Sequence, residues 1–262
     1  MPRFAANLSM MFAEMPFMER FDAARAAGFR AVEYLFPYDF PSGDLKRALK
    51  DAGLQQVLFN APPGGDFAAG ARGLAAVPGR EADFRAAIDM ALDYAGALDV
   101  RQVHVMAGTM PEDADPLEWR AAYVANLRHA AEKARRHGVA VLIEPINPFD
   151  MPGYVLSGVE QAVSVIAEVG SDNLFLQYDL YHQSRHGGEL TGTFLRHQAL
   201  IRHIQVASNP GRHEPDRGEI DHGFVFAALD TAGYEGWIGC EYRPSGRTED
   251  GLGWLARFAD PA

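Results

Sequence analysis

The chain of 262 residues is 48% hydrophobic and 23% charged, enough to bury a core without metal or disulfide staples, and it carries a formal net charge of −11. That acidic balance argues against a nucleic-acid partner, and no run of about 18 apolar residues marks a membrane span. The one cysteine, Cys240, excludes an intrachain disulfide, and together with an N-terminus that lacks a leader-like apolar core it leads us to expect a cytoplasmic protein.

Taken in chain order, short apolar runs alternate with helical patterns. FAANLS (4–9) is the first strand candidate. AVEYLF (31–36) follows a helical stretch that ends at Ala27-Gly28, and QQVLFN (55–60) follows one that ends at Ala52-Gly53. A long glycine-rich loop, APPGGDFAAGARGLAAVPGRE (61–81), comes next; loops of that length in compact domains are usually lids or substrate walls. Ile88, Ala91, Leu92 and Ala95 then recur at helical spacing before QVHVMA (102–107). Asp115-Pro116-Leu117-Glu118 supplies an N-cap acid with proline at the first helical position, and Leu127, Ala130, Ala131 and Ala134 form the apolar stripe behind it. His137-Gly138 releases the chain into VAVLIE (139–144). Ser157-Gly158-Val159-Glu160 reads as a second capping box, and Val169-Gly170 ends the helix it opens. LFLQYD (174–179), HIQVA (203–207) and WIGCEY (237–242), the last entered through Ala232-Gly233, complete the set.

Eight strand signals, each followed by a helix signal, predict one domain over 1–262 with the α/β architecture of a (β/α)8 TIM barrel. The open-sheet alternative loses support because no G-x-G-x-x-G follows the first strand and no G-x-x-x-x-G-K-[ST] occurs. In such a barrel the reactive groups stand at the C-terminal strand ends. Four consecutive strands end in oxygen-bearing side chains: Glu144, Asp179, Gln205 and Glu241. One acid at a strand end is ordinarily a solvated terminus, but three carboxylates brought to one mouth repel unless a cation lies between them. All-oxygen ligands favour a hard divalent ion, Mg²⁺ or Mn²⁺.

Other residues stay open at this level. His182, three after Asp179, can bond a substrate oxygen or hold a metal. His104 can line the barrel or pack in its core. Arg212, in ASNPGRHEP, has the planar fork that suits a carboxylate, or is a solvated loop residue. Glu33 reads as a buried structural acid and Cys240 as small core filler. The aromatics Phe36, Tyr38, Phe40 and Phe67 suggest a small, closed pocket.

FAANLSMMF, GFRAVEYLFPYDF, LIEPINPFDMPGY, LQYDLYH, HIQVASNPGRHEP and GWIGCEY, in this order, resemble the hydroxypyruvate isomerase family among the xylose-isomerase-like and AP-endonuclease-like barrels. The resemblance implies interconversion of hydroxypyruvate and tartronate semialdehyde through an enediolate. By that likeness Glu144 and Glu241 are the acid/base pair, Glu144, Asp179, Gln205 and Glu241 hold the metal, and His182 and Arg212 contact substrate oxygens. Gln205 stands where many relatives carry histidine, and Ser208 where the usual string reads ADNPGR. The family also holds 2-oxo-tetronate isomerases, and these motifs do not separate the two substrates. The expected partner is thus a small 2-oxo or hydroxy acid, with no nucleic acid and no membrane, and a homo-oligomer is left open. Rival readings are a sugar epimerase, a metal-dependent DNA-repair phosphodiesterase and a non-catalytic barrel.

Overall fold

Eight strands pair parallel and in sequence order, and the first also pairs with the last, so the sheet closes into a barrel. They are β1 (Arg3–Asn7), β2 (Ala31–Glu33), β3 (Gln55–Asn60), β4 (Gln102–His104), β5 (Ala140–Ile143), β6 (Leu174–Asp179), β7 (Ile201–Gln205) and β8 (Trp237–Cys240). This computed structural model describes residues 2–258; residue 1 and residues 259–262 of the expected 1–262 domain lie outside the described residues. The (β/α)8 architecture is the one expected from the sequence. Among the described residues no helix is long and apolar enough to cross a membrane.

The strands are nearly continuous apolar runs because the barrel core covers one face and the surrounding helices the other. Ile88, Ala91, Leu92 and Ala95 are buried on the helix Glu81–Leu98, as Leu127, Ala130, Ala131 and Ala134 are on Pro116–Arg136. Asp115 caps the latter, its Oδ1 accepting from the Leu117 amide at 2.9 Å. The second capping box does not form. Gly158 is the N-cap of Val159–Val169, and the Gln161 side chain accepts from the Ser157 amide in its place. The five glycines that follow helices all have positive φ, which is why each helix stops there.

Two glycines matter for the site. Gly239 in β8 leaves room for the Glu33 carboxylate, which a Cβ at that position would strike. Gly73, at φ +114°, lets the 61–81 loop press against the Met106 carbonyl and form a bridge to Ala107. Backbone bonds from Ala75 to Met106 and Ala76 to Ala107, with Asn126 donating to the Ala75 carbonyl at 2.9 Å, continue that seam. The far half of the loop is therefore fixed to the barrel rim.

Candidate active site

The barrel interior carries two polar layers. The deeper one centres on Glu33, which accepts from Asn7 Nδ2 at 3.0 Å, Gln205 Nε2 at 2.8 Å and His203 Nε2 at 2.6 Å. Gln177 donates to Gln205 Oε1 at 2.6 Å, and Gln102 Nε2 lies 3.2 Å from His203 Nδ1. Glu33 is thus the buried, hydrogen-bonded structural acid expected of it. Gln205 belongs here too. It is in register with Gly239, and its amide oxygen is engaged by Gln177.

The upper layer opens into a cavity of about 430 Å³ whose walls include Glu144, His182, Arg212 and Glu241. Glu144 and Glu241 follow the last paired residues of β5 and β8. Both are buried, and Glu144 Oε1 has no hydrogen-bond partner among the described residues. Burial, then the neighbouring Glu241 and Asp179, pushes the Glu144 carboxyl well above the usual range. Burial also lifts Glu241, to about 8, against the pull of Arg212. Burial raises Asp179 as well, again opposed by Arg212. Asp179 caps the helix Leu180–His186, its Oδ1 accepting from the Tyr181 amide at 2.7 Å.

Arg212 is the cation that contacts Asp179 and Glu241. One guanidinium nitrogen, Nη2, reaches Glu241 Oε2 at 2.5 Å and Asp179 Oδ2 at 3.3 Å, and the group lies over the Tyr181 ring at 5.1 Å. Its backbone is left-handed at φ +56°. Ser208 builds the turn that presents it, accepting from the Arg212 amide on its carbonyl and from the His213 amide on its hydroxyl.

Glu144, Asp179 and His182 lie close enough to hold a metal, with one ligand atom from each within 4.8 Å of the others. The structure therefore joins His182 to two of the four expected ligands, with Glu241 held by Arg212 and Gln205 in the layer below. Burial, reinforced by Arg212, drives the His182 pKa well below its ordinary value. Its Nδ1 meets Asn147 Nδ2 at 2.7 Å. His104 lines the cavity, its Nδ1 3.2 Å from Asn60 Oδ1; burial, then His203, lowers its pKa to about 3.

Sequence reading missed several groups. Asn147 closes an Asx turn at the start of N-P-F-D, a signal the sequence does carry. Arg72 and Arg243 line the cavity, and neither has a carboxylate partner among the described residues. Arg185 does, reaching Asp150 at 3.5 Å. Of the aromatics only Phe67 lines the cavity; Tyr38 bonds the Asn60 carbonyl and packs on Tyr94, and Phe40 stacks on Phe17. Those two cover the core beneath the helices and do not narrow the mouth.

The xylose isomerase-like TIM-barrel family model matches residues 21–258. The chain is 54% identical over 258 residues to a 2-oxo-tetronate isomerase of Cupriavidus necator, covering 98% of this chain and 99% of that one. It is 45% identical over 255 residues to the hydroxypyruvate isomerase of Escherichia coli, covering 97% and 98%. A crystal structure described as AP endonuclease, family 2, from Brucella melitensis is 49% identical, covers 99% of this chain and 100% of its own, and superposes with a TM-score of 0.96.

Proposed function

The chain belongs to the xylose isomerase-like TIM-barrel family and is an isomerase within it, and we propose that it moves a carbonyl between C2 and C3 of a short 2-oxo-3-hydroxy acid. The observation that carries this reading is the pair of buried carboxyls, Glu144 and Glu241, at the wall of one cavity, each raised by burial above the usual carboxyl range. A carboxylate tuned upward by burial is a better base near neutral pH than a solvated one, and a positioned base is worth about 10²–10⁴-fold.

One glutamate takes the proton from C3. The C3–H electron pair forms the C2–C3 double bond, and the C2 carbonyl oxygen becomes an enediolate oxygen. Return of the proton at C2, with the hydroxyl proton passing from O3 to O2, leaves the carbonyl at C3. Hydroxypyruvate gives tartronate semialdehyde by this route. A 2-oxo-tetronate undergoes the same exchange with a hydroxymethyl group in place of one hydrogen on C3. We favour the four-carbon acid because the cavity has room for that group and the 54% identical relative is named for it.

Arg212 and His182 face the two oxygens between which the charge moves. The substrate carboxylate goes to Arg72 and Arg243, the cavity arginines with no carboxylate partner among the described residues. Arg72 is held ready, with Nη1 donating to the Phe67 carbonyl at 2.6 Å and its guanidinium 4.3 Å over the Phe67 ring. The donor set also fits a hard divalent ion, Mg²⁺ or Mn²⁺. Glu144 and Asp179 would hold it, and Glu144 Oε1 is a buried oxygen with no hydrogen-bond partner among the described residues. When bound, such an ion offsets negative charge developing on adjacent substrate oxygens.

A phosphodiesterase reading comes with the name of the Brucella relative, but a chain of net charge −11 is poorly made for a phosphate backbone. Proton NMR with each acid in D₂O, with and without Mg²⁺, tests the proposal. Carbonyl transfer with deuterium at carbon is expected, and failure with both acids would refute it.

A further inference from the structure

We propose that Asn147 fixes His182 as the tautomer with its proton on Nε2, making His182 a hydrogen-bond donor to a substrate oxygen rather than a metal ligand. The Asn147 side chain is fully buried, and its two ends are told apart by their partners. Oδ1 accepts from the Phe149 amide at 3.1 Å and the Asp150 amide at 3.0 Å. Exchanging oxygen and nitrogen would set an NH₂ group against two main-chain donors. Nδ2 is therefore the atom that faces His182 Nδ1 at 2.7 Å.

An amide nitrogen donates and does not accept, so Nδ1 must be the acceptor. The same contact disfavours the doubly protonated ring, whose Nδ1–H would also point at a donor. The single ring proton is left on Nε2. That atom lies 3.6 Å from Asp179 Oδ2 and 3.8 Å from Glu144 Oε1, and His182 and Glu144 both line the cavity.

Histidines that ligate metals normally show the reverse pattern, one ring nitrogen on the metal and the other donating to an acceptor. To ligate through Nε2, His182 would have to place Nδ1–H against Asn147 Nδ2–H. That exchange loses a buried hydrogen bond and leaves two buried donors unpaired. The closeness of His182 to Glu144 and Asp179 thus sets a donor beside the acids. A neutral imidazole N–H there suits an oxygen that gains charge in the transition state. Asn147 acts through His182 and is a positioning residue. The donor role rests on the isomerase reading; the tautomer does not.

Long-range ¹H–¹⁵N spectra of the ¹⁵N-histidine-labelled full chain read the tautomer without substrate. His182→Gln identifies the signals of that ring among the nine histidines. The expected pattern is bare Nδ1 with protonated Nε2, unchanged when Mg²⁺ is added. A proton on Nδ1, or loss of the Nε2 proton on adding Mg²⁺, overturns the proposal. Asn147→Asp keeps the shape and the acceptor for the two amides but turns an acceptor toward Nδ1. It is expected to move the proton to Nδ1 and lower kcat about 10²-fold, with KM changed less than about threefold. An unchanged tautomer in that variant also overturns the proposal. If the variant does not fold, the wild-type spectrum alone decides. Wild-type turnover measured alongside separates failure of the tautomer from failure of the isomerase reading.

Discussion

Glu33 and Glu144 are carboxylates of the same barrel, 1% and 5% exposed, in opposite kinds of surroundings. Glu33 is the acceptor at the end of a donor chain. Gln102, His203, Gln177, Gln205 and Asn7 are arranged so that their donors converge on it, and Gly239 clears its space. Glu144 has an oxygen with no hydrogen-bond partner among the described residues and two acids for neighbours. A buried charge left so exposed to repulsion costs free energy that ordinary packing does not repay. The deeper layer spends most of its polar groups on holding strands together, whereas in the upper layer Glu144 Oε1 and Arg212 Nε have no hydrogen-bond partner among the described residues.

The sharpest way to break this contrast is to remove one acid from each layer. Glu241→Gln keeps the shape but removes one of the two proposed acid/base groups, so kcat should fall about 10²–10⁴-fold with little change in the melting temperature. Near-wild-type turnover would return Glu241 to a structural role. Glu33→Gln should do the reverse. An amide nitrogen set among His203, Gln205 and Asn7 costs about 3 kcal/mol and lowers the melting temperature by about 6–12 °C, while activity per folded molecule stays close to wild type. Calorimetry beside the NMR assay reads both.

Arg72→Gln tests whether the upper layer ends in an anion subsite. KM for the acid should rise about 10- to 100-fold, with kcat and melting temperature nearly constant. A change confined to melting temperature would make Arg72 a loop strut.

The smallest effect lies outside both layers. His222 is buried, with Nδ1 2.6 Å from the Pro215 carbonyl, and burial lowers its pKa below the usual 6.5. Below pH 6.5 the unfolded chain takes up a proton that the folded chain refuses. The stability present above that pH is therefore lost as pH falls, by at most about 1.4 kcal/mol per pH unit. Melting curves between pH 5 and about 6.5 should flatten in His222→Asn. An equal slope in both proteins would show that His222 does not titrate there.

The barrel was legible because its signals are local. QQVLFN and LFLQYD coincide with β3 and β6, and each helix-ending glycine has the φ that its position requires. The convergence of Glu144, Asp179, His182 and Arg212 followed from strand ends and one loop. Depth along the barrel axis was not legible. Alternation tells which face Gln205 occupies, but only the register with Gly239, and Glu33 filling the gap there, sends its amide to the lower layer. Hydrogen-bond direction was equally hidden. INPFD shows an Asx turn in the making, yet only the partners of both Asn147 ends reveal which atom it turns toward His182. Arg72 gave no signal because its meaning depends on the absence of a nearby acid, which no linear spacing records.

The seam at Gly73 has a consequence for how such a catalyst diversifies. By stitching the loop to Ala107 at that residue, it divides the 61–81 segment into a fixed half and a replaceable one that carries Phe67 and Arg72. That half supplies Phe67 and Arg72 to the cavity, where the proposed function puts the substrate carboxylate. If the proposed function holds, exchanging a handful of residues upstream of the stitch would change which acid is accepted while leaving the strand-end glutamates in place.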